Sequence, residues 1–135
     1  HPLLGRHLRV EHWANALHGG PAAARSMLGL HVSYDQMPYF FTDQYDLGME
    51  YSGHVGAGGY DQIVYRGDRG NRQFIAFWLD GGRVVAGMNV NVWDVTSDIQ
   101  DLIRHAGTVD PDRLADPDTP LADLVPARTR EDSRP

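Results

Sequence analysis

The stretch Gly53-His-Val-Gly-Ala-Gly-Gly59 comes nearest to a phosphate-binding loop in this sequence, since glycines let backbone N–H groups approach an anion closely. No Gly-Lys-Ser/Thr follows it, and the residues beyond alternate as a strand does, so no helix N-terminus completes an anion site. The stretch reads as a hairpin loop. Seven histidines raise the question of a metal centre, but His7, His12 and His18 lack the i, i+4 spacing that puts two ligands on one helix face. They read as solvent-facing or hydrogen-bonded histidines. The acidic run from Asp110 to Asp118 has carboxylates without the central Gly and terminal Glu of a calcium loop, and reads as a turn-rich connector. Ser26, Ser33, Ser52, Ser97 and Ser133 stand in no Gly-x-Ser-x-Gly context, so a hydrolase triad is unsupported. Arg66, Arg69 and Arg72 cluster in an expected hairpin turn, where solvated charge is a simpler reading than a dock for an acidic partner. Tyr39-Phe40-Phe41 could form a platform for a conjugated ligand; composition alone places it in the core.

Composition narrows the chemistry further. The 135 residues carry 12 basic side chains, all Arg, against 18 Asp plus Glu, a net charge of −6. That balance argues against a wide surface for nucleic acid or anionic membrane. The chain has no Cys, which removes disulfides, thiolate metal sites and cysteine nucleophiles together, so redox chemistry would need a borrowed cofactor. At 41 % hydrophobic residues, one domain of this length buries roughly 65–70 % of its unfolded surface, enough for a core without staples. No run reaches transmembrane length and no signal-peptide pattern is present, which favours a cytoplasmic protein. The opening His1-Pro2-Leu3, without Met, suggests a processed form or a piece of something longer.

The elements that would hold these residues follow from periodicity. Trp13, Ala16, Leu17, Gly20, Ala24, Met27 and Leu28 mark a helical stripe. Because Pro21 is better tolerated in a first turn than in an interior, the expectation is a helix from about Glu11, a break at Gly19-Gly20, and a second helix from Pro21 that Gly29 closes. Period two then takes over: Leu47, Met49 and Tyr51, and later Ile63 and Tyr65, mark half-buried strands. The run Phe74–Leu79 reads as a central strand joined through Asp80-Gly81-Gly82 to Arg83–Val90 by a tight hairpin. Val95, Ile99, Leu102, Ile103 and Ala106 restore the helix period, with Asp94 or Thr96 as N-cap and Gly107 just past the end. Thr119-Pro120 opens a second short helix, Thr as N-cap. Strands followed by helices make the fold class α+β: an antiparallel β-sheet with helices packed on one face. Residues 126–135 read as a disordered tail.

Three stretches together resemble one family: Arg9-Val-Glu-His-Trp-Ala-Asn-Ala16, Pro38-Tyr-Phe-Phe-Thr-Asp-Gln-Tyr-Asp-Leu-Gly48 and Arg83-Val-Val-Ala-Gly-Met-Asn-Val90. The sequence is similar, from His7 to about Leu124, to the C-terminal portion of FAD-dependent NAD(P)H:ferredoxin reductases, the family of putidaredoxin reductase and of dioxygenase ferredoxin reductases, and more distantly to apoptosis-inducing factor. The resemblance implies that residues 1–30 are the terminal strip of a FAD-binding domain and residues 31–125 the reductase C-terminal α+β domain.

The resemblance also implies roles. The helix opening at Glu11, His12 and Trp13 falls where the family aims a helix N-terminus at the flavin, and Glu11 is the matched carboxylate nearest the nicotinamide. Phe41 falls where the family usually has Trp beside the flavin ring, so stacking could persist without the indole N–H. The parent would pass a hydride from NAD(P)H to FAD and single electrons to a ferredoxin-type iron–sulfur protein. Within it, this domain would cover the flavin and contribute to the ferredoxin-facing surface. The dinucleotide fingerprints and the Gly-Asp motif of the family are absent from these 135 residues, so this chain is expected neither to hold FAD tightly nor to act as a reductase alone. Trp13, Leu17, Met27 and Leu28 would leave an apolar face that favours self-association. A stand-alone, non-catalytic α+β binding or oligomerisation module is the alternative.

Overall fold

The period-two segments from Leu47 onward form four strands in the computed structural model, which describes residues 1–125, and a fifth, not marked in the sequence, precedes them from Tyr39. The tail expected over residues 126–135 lies outside the described residues. The strands are β1 (Tyr39–Gln44), β2 (Leu47–Gly53), β3 (Gln62–Asp68), β4 (Gln73–Asp80) and β5 (Arg83–Val90). They pair antiparallel in the spatial order β1-β2-β5-β4-β3. Because β2 lies beside β5 rather than β3, strands two to five make a Greek key. The Gly53–Gly59 stretch is therefore a crossover between non-neighbouring strands, which corrects the hairpin expected there. The β4–β5 turn is as anticipated: Gly81 and Gly82 have φ of 56° and 77°, the left-handed pair that a two-residue hairpin turn requires.

One face of the sheet is closed by α2 (Thr96–His105), α3 (Pro111–Ala115) and a 3₁₀ turn at Leu121–Leu124. Ile75, Phe77 and Leu79 of β4 meet Ile99, Leu102 and Ile103 of α2 and Leu114 of α3 in a single buried cluster. The α+β class and the covered face agree with the sequence reading.

Which residues face inward differs from the alternation. On β2 the covered face carries Gly48, Glu50 and Ser52, and Leu47, Met49 and Tyr51 stay half-exposed on the other. On β3 the buried residue is Val64, not Ile63 or Tyr65. Polar side chains sit inside because α2 brings partners: Thr96 Oγ1 donates to Glu50 and Gln100 Nε2 to Ser52 Oγ. A buried polar group matched in this way loses little by leaving water.

Local boundaries also shift for identifiable reasons. Thr96 does not cap α2, because its hydroxyl is engaged by Glu50; Val95 occupies the cap position, and Asp94 sits before it at φ 62°. The left-handed residue that ends α2 is Ala106, one before Gly107. Within the acidic connector, Asp110 caps α3 by accepting from the Asp112 amide at 2.9 Å. Thr119 caps nothing, since its Oγ1 donates to Asp116 at 2.7 Å.

Arg66 is not part of a solvated turn. It lies on β3 and its guanidinium donates to the carbonyls of Asp116 (2.6 Å), Thr119 (2.7 Å), Pro117 (3.1 Å) and Leu114 (3.4 Å), tying the α3 segment to the sheet. Arg72 pairs with Asp46 at 2.6 Å, and Arg69 lies over the Tyr65 ring.

The expected break before Pro21 is absent: α1 runs unbroken from Trp13 to Met27 with Pro21 inside it. Proline disfavours helical backbone in the residue before it largely through that residue's Cβ, and here the preceding residue is Gly20, which has none. Not one residue of α1 is buried.

Candidate functional site

The site begins where α1 begins. His12 is the N-cap, in extended conformation and without a side-chain capping bond, and the first turn holds no acidic residue. The first amide to be claimed is that of Ala16, which donates to His12 O at 3.2 Å, so the N–H groups of Trp13, Ala14 and Asn15 precede the intrahelical ladder. Asn15 secures this end instead, its Nδ2 donating to Val10 O at 2.9 Å and its Oδ1 accepting from Tyr34 at 3.0 Å. Among the described residues nothing accepts from these three amides, so the helix presents open donors and the positive end of its dipole.

Beside those donors lies a cleft of about 150 Å³ lined by Trp13, Ala14, Tyr39, Phe40 and Phe41. Trp13 is 70 % and Phe41 53 % exposed, so Phe41 is not the core residue its composition suggested. Phe40 packs against two rings: the His12 ring lies 4.7 Å away and the Tyr51 ring stacks at 5.0 Å. Tyr51 in turn meets the edge of Trp78 at 5.6 Å. His12 Nδ1 is buried without a hydrogen-bond partner among the described residues.

Of the four residues singled out in the sequence, the structure brings Trp13 and Phe41 to one cleft and sets His12 behind it against Phe40. Glu11 stands apart. Its carboxylate accepts from Arg9 Nε at 2.7 Å, with both side chains largely exposed.

Glu50 was not singled out, and Tyr39 only as part of an aromatic run, yet the two hold β1 in place. Glu50 Oε1 accepts from Tyr39 Oη at 2.7 Å, while Oε2 accepts from Asn89 Nδ2 and Thr96 Oγ1, each at 2.8 Å. Burial alone would push the Glu50 carboxyl up, but the hydrogen bonds from Asn89, Tyr39 and Thr96 together outweigh it and hold the group below its ordinary value. Tyr39 is pushed up to about 12, first by burial and then by its bond to the Glu50 carboxylate. The available signal was a Glu among apolar strand residues, which the alternation assigned to solvent. Among the described residues no cluster of His, Asp or Glu could hold a metal ion, and no helix is long and apolar enough to cross a membrane.

Comparison with known proteins places this geometry in context. Residues 39–125 match the family model described as Reductase C-terminal. The chain is 39 % identical over 117 residues to the ferredoxin–NAD(+) reductase component of the anthranilate 1,2-dioxygenase system of Burkholderia cepacia, covering 86 % of this chain and 28 % of that one. It is 31 % identical over 129 residues to putidaredoxin reductase of Pseudomonas putida, covering 96 % and 30 %. Among solved structures, the covalent putidaredoxin reductase–putidaredoxin complex superimposes with a TM-score of 0.81 at 30 % identity, over 93 % of this chain and 30 % of the matched one. The chain thus spans less than a third of the curated relatives it matches. It belongs to the reductase C-terminal family.

Proposed function

We propose that this chain is the C-terminal part of a FAD-dependent NAD(P)H:ferredoxin oxidoreductase. In that reading residues 1–30 close the FAD-binding domain, and residues 31–125 form a cover over the flavin that contributes to the surface met by a ferredoxin-type iron–sulfur protein. The observation that carries it is the unclaimed N-terminus of α1 opening beside the cleft between Trp13 and Phe41. Free N–H donors next to an apolar, aromatic wall suit the edge of a flat conjugated ring that gains negative charge. The residues present therefore fit the ring portion of the flavin. The nucleotide-binding fingerprints are not among these 135 residues, so the chain alone is expected to hold FAD weakly and to lack reductase activity.

When bound, the flavin supplies hydride acceptance from NAD(P)H and single-electron release to the iron–sulfur partner. The contribution of this chain is field and shape. The amides of Trp13, Ala14 and Asn15 and the α1 dipole favour negative charge at the ring edge. Phe41 supplies an apolar wall that keeps water off the ring, and His12 fixes Phe40, which backs the cleft. Glu11, held by Arg9, is the carboxylate nearest the nicotinamide side in this reading. The stand-alone module is not favoured, because the relatives carry the matched stretch within much longer reductases.

The test uses the longer natural protein. Substituting Phe41→Ala is expected to shift the visible absorption of bound flavin and slow ferredoxin reduction about tenfold, and Phe41→Trp to retain both. A natural protein that carries no flavin, or flavin spectra and rates indifferent to Phe41→Ala, would overturn the reading. Outside its parent, the same chain exposes Trp13, Leu17, Met27 and Leu28 and is expected to self-associate. Light scattering should then give a mass that falls toward 15.0 kDa on dilution; a monomer mass at every concentration would contradict it.

A further inference from the structure

The Gly53–Gly59 crossover lines a second cleft, of about 310 Å³, that shares no residue with the one at Trp13 and Phe41. Its apolar lining includes Leu3, Leu4, Val84 and Ile103, and its polar side chains are Arg6, His54, Arg83 and Asp80. The charges are not evenly matched. Arg83 is compensated by Asp80 at 3.5 Å and lies near the C-terminal, negative end of α2. Arg6 pairs with no carboxylate among the described residues; its Nη2 contacts His54 Nδ1 at 3.2 Å. A guanidinium can only donate, so Nδ1 accepts and the imidazole proton lies on Nε2. Gly56 leaves space in the loop: a Cβ there would meet no atom within 4 Å.

We propose that this cleft binds a small organic carboxylate with an apolar body. The carboxylate takes the Arg6–His54 end, where the positive charge is unbalanced, because Asp80 and the end of α2 would repel it at the other. The body lies toward Val84 and Ile103. Arg matches a planar carboxylate with two parallel hydrogen bonds, and the apolar lining rewards a hydrocarbon body that a bare inorganic anion lacks.

The experiment is a titration of the 135-residue chain with benzoate, followed by amide and methyl NMR. Saturable shifts are expected at His54, Gly56 and Ile103. Neutral benzamide and inorganic phosphate should each bind at least about tenfold more weakly, since one lacks the charge and the other the body. Arg6→Gln, at an exposed position, should weaken benzoate at least about tenfold without loss of the folded spectrum. Gly56→Val, which fills the loop and leaves the charges unchanged, should weaken it too. The absence of saturable shifts, phosphate binding as tightly as benzoate, or benzoate affinity unchanged in Arg6→Gln would overturn the proposal.

Discussion

Helices α1 and α2 are both amphipathic stretches flanking one sheet, yet they have opposite fates. In α2, Ile99, Leu102 and Ile103 are buried against the sheet. In α1 no residue is buried, and Trp13, Leu17 and Met27 are largely exposed, with Leu28 beyond its end in the same condition. The apolar stripe that signals packing is present in both; among the described residues only one of them is buried. The sheet itself repeats the contrast, since the face under α2 is closed while Phe40, Met49, Tyr51 and Met88 on the other remain half-exposed. An apolar face that is formed but uncovered points to a surface completed by other polypeptide.

The comparison can be broken most forcefully by truncating each stripe. Leu102→Ala, at a position with no exposure, should cost about 2–5 kcal/mol in chemical denaturation. Leu17→Ala in α1 should stay within about 0.5 kcal/mol, as exposed substitutions do. Equal losses would mean that α1 is packed after all. The Arg66 clamp gives the next largest effect: Arg66→Met removes charged donors from four carbonyls of the α3 segment, and a loss of roughly 2–3 kcal/mol is expected in the same measurement. Glycines sharpen the contrast further. A Cβ at Gly87 would collide with Ile99 Cγ2, so Gly87→Ala should destabilise by about 1–3 kcal/mol. Gly19→Ala, at a half-buried position of α1, meets only Tyr34 Oη at an ordinary 3.8 Å and should instead raise α1 helicity, by about 0.5–1 kcal/mol.

The smallest effect is the pH dependence. The carboxyl of Glu50 is held below its ordinary value, so its contribution is present above the unfolded pKa, near 4.5, and is lost as pH falls through the folded one. The phenol of Tyr39 is raised to about 12, so its contribution is present below the unfolded value of 10.0 and lost as pH rises toward 12. In Glu50→Gln the acid-side loss should shrink and the phenolate absorbance of Tyr39 should appear at lower pH. An unchanged Tyr39 titration would remove Glu50 as its partner.

Periodicity sufficed for β2 to β5, α2 and the β4–β5 turn, because apolar spacing and Gly81-Gly82 constrain those elements locally; β1, read only as an aromatic run, was not marked as a strand. It failed where tertiary partners decide. The inward face of β2 carries Glu50 and Ser52 only because Thr96 and Gln100 arrive from α2, more than forty residues later in the chain. Arg66 looked like turn charge because the carbonyls it serves begin 48 residues on. At the candidate site, Trp13 and Phe41 were legible through the family resemblance. The anchoring of β1 by Tyr39 and Glu50 was not, since alternation gave that Glu to solvent.

The most direct measurement is amide hydrogen exchange, compared between this chain and the same residues within the longer natural protein loaded with FAD. The account predicts slow exchange across α2 in both, little protection of α1 in the isolated chain, and strong protection of α1 in the longer protein, including the amides of Trp13, Ala14 and Asn15. Equal exchange of α1 in the two would contradict the claim that its open face and free N-terminus are completed by the rest of a flavin-dependent reductase.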